Sequence, residues 1–256
     1  MTLSFLRPDW PAPARVRAAM TTRGGGVSQQ AFHSLNLGLG ADDPAHVAEN
    51  RRRVREALQL PAEPGWLTQV HGTNVVRLSP CPPRSGGEGG GEGQIPEADA
   101  SFTTDPGVVC AVQAADCLPV LLCDDDGQVV AAAHAGWRGL AGGVLEATVR
   151  ALPMKPGALM AWLGAAIGPH SFEVGPEVRE AFVGADAAAA AAFKPRPGGE
   201  KYLADLYTLA RQRLAAAGVQ RVSGGGRDTL RERTHFFSYR RDGRCGRMAA
   251  LVWLTR

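Results

Sequence analysis

The sequence predicts an α/β (α+β) fold, a single domain of mixed β-sheets flanked by helices. Three observations point to it. Strand-like and helix-like segments alternate irregularly rather than in a steady βαβα series, which argues against a doubly wound parallel sheet. Apolar residues make up 45% of the chain and charged residues 21%, a balance that supplies a core of useful size. The 256 residues show no internal repeat, so no solenoid or propeller is indicated. Length alone does not separate one large domain from two small ones. The low-complexity stretch at 84–94, RSGGEGGGEGQ, is too rich in glycine to bury much surface and reads as a flexible surface insert. Candidate site residues fall on both sides of it, so 1–256 is taken as one unit.

The elements follow in order. Residues 16–22, VRAAMTT, read as a short strand, and TRGGGVS as a turn. Positions 44–58 place Val47, Val54 and Leu58 at helical spacing, with Asp42 or Asp43 as N-cap and Pro44 in the first turn. WLTQVHGTNVVRL is β-rich and broken at His71-Gly72, and VVCAVQAADCLPVLLCD reads as buried strands interrupted near Pro119. GQVVAAAHAGWRG is a turn, a small-residue strand and a second turn, which puts His134 at a strand's C-terminal end. GLAGGVLEATVRAL then reads as a helix. MAWLGAAIGPHSFEVG is a strand and a Gly/Pro turn, PEVREAFVGADAAAAAAF an Ala-rich helix, and DLYTLARQRLAAAGV a helix closed by Gly218. THFFSYRRDGRCGRMAALVWL predicts a β-hairpin turning at RRDG.

A formal net charge of +3 is too small to call for nucleic acid, and suits a small anionic substrate. No apolar run approaches a membrane span, and MTLSFLRPDWPAPARV lacks the charged start and apolar core of a secretory signal. Five cysteines, an odd number with no CxxC pair, fit a reducing compartment; the expected location is cytoplasmic. Cys110, Cys123 and Cys245 read as small buried hydrophobes.

Three strong metal ligands stand in unusual settings: His71 in TQVHG, Cys117 in AADCLPV and His134 in AAAHAGWRG. Each is alone in an apolar or Gly-flanked stretch near a strand end. Two imidazoles and a thiolate suit zinc (Zn2+), with copper (Cu2+) as the other occupant, and three protein ligands leave a catalytic position open. Their separations match no short zinc pattern. The same residues also read as satisfied core side chains, or as a Cys117 nucleophile activated by His134 or His71. HAGWRG runs into a helix, so Gly136, Gly139, Arg138 and free N–H groups form either an anion site or a tight packed turn. Arg23 in TTRGGGVS, and Arg240 and Arg241 in SYRRDG, either reach phosphate or ribose or stay solvated. His46 and His235 read as surface residues; His33 and His170 stay undecided.

TTRGGGVS, SLNLG, ENRRRV, TQVHG, ADCLPVLL, AAAHAGWRGL, IGPHSFEVG and FFSYRRDG follow one another from about Arg17 to Leu254. In these motifs and their order the chain resembles the YfiH/YlmD group, also called laccase-domain or multicopper polyphenol oxidase-like proteins. The resemblance implies a zinc held by His71, Cys117 and His134, and phosphorolysis of adenosine, inosine or methylthioadenosine with adenosine deamination as a side activity. Arg23, Asn36, Arg138 and Arg240 are the expected substrate or phosphate contacts. Two alternative activities come with the resemblance: copper-dependent phenol oxidation, disfavoured by the lack of histidine clusters, and a Cys–His hydrolase editing peptidoglycan precursors. The fold it implies is similar to that of a Cys–His toxin deamidase. A structural-zinc binding module is the non-enzymatic alternative, and would need a fourth ligand such as His33 or His170. The chain departs from the group in its insert at 84–94, at Asp228 before Thr229, and at Cys245-Gly246-Arg247.

Overall fold

The computed structural model describes residues 3–40, 42–80 and 95–256; the insert expected at 84–94 lies outside the described residues. The strands and helices in chain order are β1 (Phe5–Leu6), β2 (Val16–Thr21), α1 (Pro44–Leu58), β3 (Val75–Arg77), β4 (Ala100–Thr103), β5 (Val109–Ala114), β6 (Leu118–Asp124), β7 (Val130–Ala135), α2 (Trp137–Gly142), α3 (Val144–Ala151), β8 (Leu159–Leu163), β9 (Glu173–Val174), α4 (Pro176–Val183), β10 (Phe193–Pro195), β11 (Tyr202–Ala204), α5 (Leu206–Ala216), β12 (Arg221–Gly224), α6 (Tyr239–Asp242) and β13 (Met248–Leu254). The fold is mixed α/β. A six-stranded sheet runs β12-β8-β6-β7-β4-β3, a four-stranded sheet β1-β2-β13-β5, and a three-stranded sheet β10-β11-β9. The larger sheet is mixed: β12 and β8 are parallel, as are β3 and β4, while β6 runs antiparallel to β7 and β8.

The layers follow from period-2 alternation in strands. On the six-stranded sheet, Leu118, Val120, Leu122, Ala131, Ala133 and Ala135 pack with Leu145 and Val149 of α3 and Leu209 and Leu214 of α5. Leu121, Cys123, Val130 and Ala132 face the opposite way, against Met20, Val112, Met248 and Val252 of the four-stranded sheet. Both faces of β6 are therefore buried, and Pro119, where an interruption was expected, lies inside the strand opposite His134; the interruption falls at residues 115–117. The outer face of the four-stranded sheet presents Ala19, Ala249, Leu251 and Trp253 to Val54 and Leu58 of α1. Helix α1 begins where expected. The Asp43 side chain accepts from the Ala45 N–H, and Pro44 occupies the first turn. Each of its buried Val and Leu side chains contributes about 1.5–3 kcal/mol.

Four further local expectations differ from the structure. The helix drawn from GLAGGVLEATVRAL is two helices, because Gly143 takes φ 95° between α2 and α3. The Ala-rich helix stops at Val183. Asp186 then caps a new turn through the Ala188 N–H, and Ala187–Ala192 is 3-10 rather than α. The C-terminal hairpin is absent among the described residues: Ser238 accepts from the Arg241 N–H and starts the short α6 across RRDG. Its strand, β13, pairs instead with β2 and β5. In WLTQVHGTNVVRL only Val75–Arg77 is a strand, and the segment carrying His71 is a loop.

Candidate metal centre

The three candidate ligands arrive from separate parts of the larger sheet. His71 sits in the loop before β3, Cys117 in the turn between β5 and β6, and His134 near the C-terminal end of β7. The β6–β7 register sets Pro119 opposite His134 and Leu118 opposite Ala135, so the turn at Cys117 falls beside the end of β7. Cys117 Sγ lies 3.7 Å from His71 Nε2. The two imidazoles meet edge to face with centroids 4.8 Å apart. One ligand atom from each of the three residues lies within 4.8 Å of the others.

A carboxylate organises this group. Asp99 is fully buried. Its Oδ1 is 2.8 Å from His134 Nδ1 and accepts from the His71 N–H, while Oδ2 accepts from the N–H groups of Val70 and Gly72. Those bonds hold His71 at φ 61°, a conformation uncommon outside glycine. Burial pushes the Cys117 thiol up, but the imidazoles of His134 and His71 outweigh it and bring it to about 6. Burial pushes His134 down, and the Cys117 thiolate and Asp99 carboxylate outweigh that in turn, raising it to about 9. The pair thus favours thiolate beside imidazolium. Burial likewise pushes Asp99 up, and the His134 ring with the Gly72 and Val70 N–H groups holds it below the usual carboxylate range.

The donor set could hold a metal ion. Donors around a tetrahedral zinc stand about 3.3–3.6 Å apart, given Zn–N and Zn–S bond lengths, close to the 3.7 Å between Cys117 Sγ and His71 Nε2. Gly136 closes the group on one side: a Cβ there would lie 2.9 Å from Cys117 Sγ and 2.9 Å from His71 Cδ2. A His2Cys set is also the trigonal set of some copper proteins, so donor type alone leaves copper open. Among the described residues no fourth His, Cys, Asp or Glu joins the group; His33 and His170 stand outside it.

The group opens into a cavity of about 910 Å³ whose wall includes Arg51, Arg138, Phe172, Tyr239, Arg240 and Arg247. Arg138 and Arg240 are therefore placed beside the ligands. Arg240 donates to the Glu173 carbonyl and stacks on Phe172. The Arg138 guanidinium rests on the Trp137 ring at 4.3 Å. Helix α2 begins at Trp137 and is six residues long, and Arg138, in its first turn, is a charged group of the wall. Arg23 and Asn36 are not among the residues lining the cavity. Arg23 donates to the carbonyls of His33 and Arg233 and stacks on Phe237. Asn36 bonds Gly38, Asp42 and the Arg247 N–H. Arg241 is turned to the Thr229, Leu230 and Phe236 carbonyls.

Sequence reasoning missed Asp99 and Asp116. Asp116, at φ 86°, accepts from the Thr229 and Ser238 hydroxyls and the Arg240 N–H, tying the Cys117 turn to the arginine wall. The available signal was a carboxylate among small apolar residues, in EADASF and AADCL, since a buried charge needs partners.

With this site in view, the chain matches the sequence model of the family described as multi-copper polyphenol oxidoreductase laccase over residues 17–255, and it belongs to that family. Its relatives include the purine nucleoside phosphorylase YfiH of Escherichia coli K12, 54% identical over 248 residues, covering 96% of this chain and 97% of the relative. A purine nucleoside phosphorylase of Pseudomonas aeruginosa is 54% identical over 252 residues, covering 98% of each. Among solved structures, a Neisseria meningitidis protein superposes with TM-score 0.89 at 50% identity, covering 98% of this chain and 99% of its own. YlmD from Geobacillus stearothermophilus gives TM-score 0.87 at 31% identity, covering 100% and 98%.

Proposed function

We propose that this protein is a zinc-dependent purine nucleoside phosphorylase. It converts adenosine, inosine or methylthioadenosine, with phosphate, to the free base and a ribose 1-phosphate, and deaminates adenosine as a side activity. The observation that carries this reading is the convergence of His71, Cys117 and His134 at a cavity bearing arginines. Relatives named purine nucleoside phosphorylase support it.

His71, Cys117 and His134 would hold zinc, which when bound supplies Lewis-acid polarisation of a substrate oxygen. Arg138, held over the Trp137 ring, presents its donors to phosphate and orients it towards C1′ of the sugar. A phosphate oxygen bonds to C1′, the bond from C1′ to the base breaks, and the electron pair leaves with the purine. Arg240, backed by Phe172 and the Glu173 carbonyl, forms the wall for the nucleoside. We read residues 1–256 as one domain in the cytoplasm, a reading supported by free cysteines at 110, 117, 123 and 245. No helix among the described residues is long and apolar enough to cross a membrane.

A second reading has its own support. Asp99, His134 and Cys117 stand in the order of a carboxylate–imidazole–nucleophile relay, with the thiol already lowered to about 6. It makes the protein a metal-free Cys–His hydrolase. The deciding experiment is metal analysis of purified protein combined with an adenosine-and-phosphate assay. Phosphorolysis expects about one zinc per chain, ribose 1-phosphate as product and loss of turnover with strong chelators. Hydrolase activity that survives chelation supports the second reading, and a coloured, oxygen-consuming protein supports copper oxidation. Zinc bound with no ribose 1-phosphate formed overturns the first.

A further inference from the structure

We propose that Asp99 is the positioning residue for both histidines of the metal centre, and that it fixes His134 in the tautomer protonated at Nδ1, leaving Nε2 as its ligand atom. For what Nε2 faces, this role rests on the metal-centre reading above.

The argument begins with donors that cannot reverse. The backbone N–H groups of Val70, His71 and Gly72 can only donate, and all three point at the Asp99 carboxylate, at 3.2, 2.9 and 2.6 Å. Three such bonds favour the ionised form, which accepts at both oxygens. Oδ1 is also 2.8 Å from His134 Nδ1, so that nitrogen carries the proton. When the ring is neutral, at alkaline pH or with metal bound, the other ring nitrogen is the one left with a lone pair. A carboxylate behind a ligand histidine sets ring orientation and basicity.

The same side chain places His71 by another route. His71 makes no side-chain bond to Asp99; its backbone is pinned through the three consecutive N–H groups at φ 61°. The main chain of Asp99 adds two more ties, its carbonyl accepting from the His134 N–H at 2.7 Å and its N–H donating to the Asn74 carbonyl at 3.1 Å. One buried residue thus sets the separation between the QVHG loop and the end of β7. Cys117, which arrives from the β5–β6 turn, is not held by it.

The test is nitrogen NMR of histidine-labelled wild-type protein, with zinc and, separately, metal-free at alkaline pH where the ring is neutral. His134 is expected to carry its proton on Nδ1 in both states. A proton on Nε2, or metal at Nδ1, overturns the proposal without touching the proposed reaction. A Nδ1–H tautomer and tight zinc in a protein that forms no ribose 1-phosphate overturns the reaction and leaves Asp99 its role. Asp99→Asn gives the second readout. Either orientation of the amide turns an NH2 towards groups that need an acceptor, so zinc affinity by chelator competition should fall about 10–100-fold. The thiolate charge-transfer band of the cobalt(II) form should persist, because Cys117 is untouched. Unchanged affinity in a folded Asp99→Asn protein refutes the assignment; if that variant does not fold, the wild-type tautomer decides alone.

Discussion

Gly136 lies against Cys117 so closely that a Cβ on the first would stand 2.9 Å from the Sγ of the second. The Gly136 backbone, at φ −63° and ψ 157°, is open to any residue, so an alanine there acts by crowding alone. Gly136→Ala should cost about 1–3 kcal/mol through overpacking and reduce zinc affinity at least about tenfold. Gly157→Ala, where an added Cβ meets nothing within 4 Å, is the control. Equal zinc affinity in the two variants, measured by chelator competition, would show that position 136 does not bound the metal space.

Removing any one donor should empty the site. Cys117→Ser, His71→Ala and His134→Ala are each expected to purify with well under one zinc per chain and to lose phosphorolysis by at least about 100-fold. Thermal melts of the same proteins separate lost metal from lost fold. A Cys117→Ser protein that keeps stoichiometric zinc and full turnover is incompatible with a sulfur ligand.

The acidity of Cys117 can be read without metal. Its thiolate is present above pH about 6 and is lost as pH falls through that value. Alkylation of Cys117 in metal-free protein, followed on its own peptide by mass spectrometry, should therefore show a midpoint near 6. Cys110 and Cys123, raised by burial to about 12, should stay unreactive. In His134→Ala, which removes the first of the two charges lowering the thiol, the midpoint should climb towards the ordinary thiol range. A wild-type midpoint already in that range contradicts the thiolate–imidazolium pair.

Arg138 and Arg23 are expected to behave differently. Losing charge-assisted bonds to phosphate costs about 1.5–3 kcal/mol, so Arg138→Ala should raise the KM for phosphate about 10–100-fold and leave the KM for nucleoside nearly unchanged. Arg138→Lys should restore only part, since an ammonium lacks the planar fork. Arg23→Ala should lower Tm, because that guanidinium holds the His33 and Arg233 carbonyls, and should not change the KM for phosphate. Steady-state kinetics on the three variants decides it.

Local signals in the sequence were legible where local physics governs. Asp43 and Pro44 announce α1, and the apolar run at 118–123 announces a strand buried on both faces. They misled where a short polar side chain redirected the backbone. Ser238 converts the expected RRDG turn into a helix start, and Asp186 recaps the Ala run. The three ligand residues stood out by type, but their convergence was beyond spacing rules, because sheet pairing and not sequence distance brings them together. Asp99 gave a fainter signal, a carboxylate among the small apolar residues of EADASF, because the N–H groups of Val70, His71 and Gly72 that hold it come from a distant segment.

The pairing of Pro119 with His134 makes the centre a reporter of strand alignment. Slippage by a single residue along β7 would swap its two faces, offering a methyl group of Ala133 or Ala135 to the sulfur and turning the imidazole into the aliphatic layer beneath α3. A length change confined to the β6–β7 turn carries no such penalty, provided these two strands stay in step.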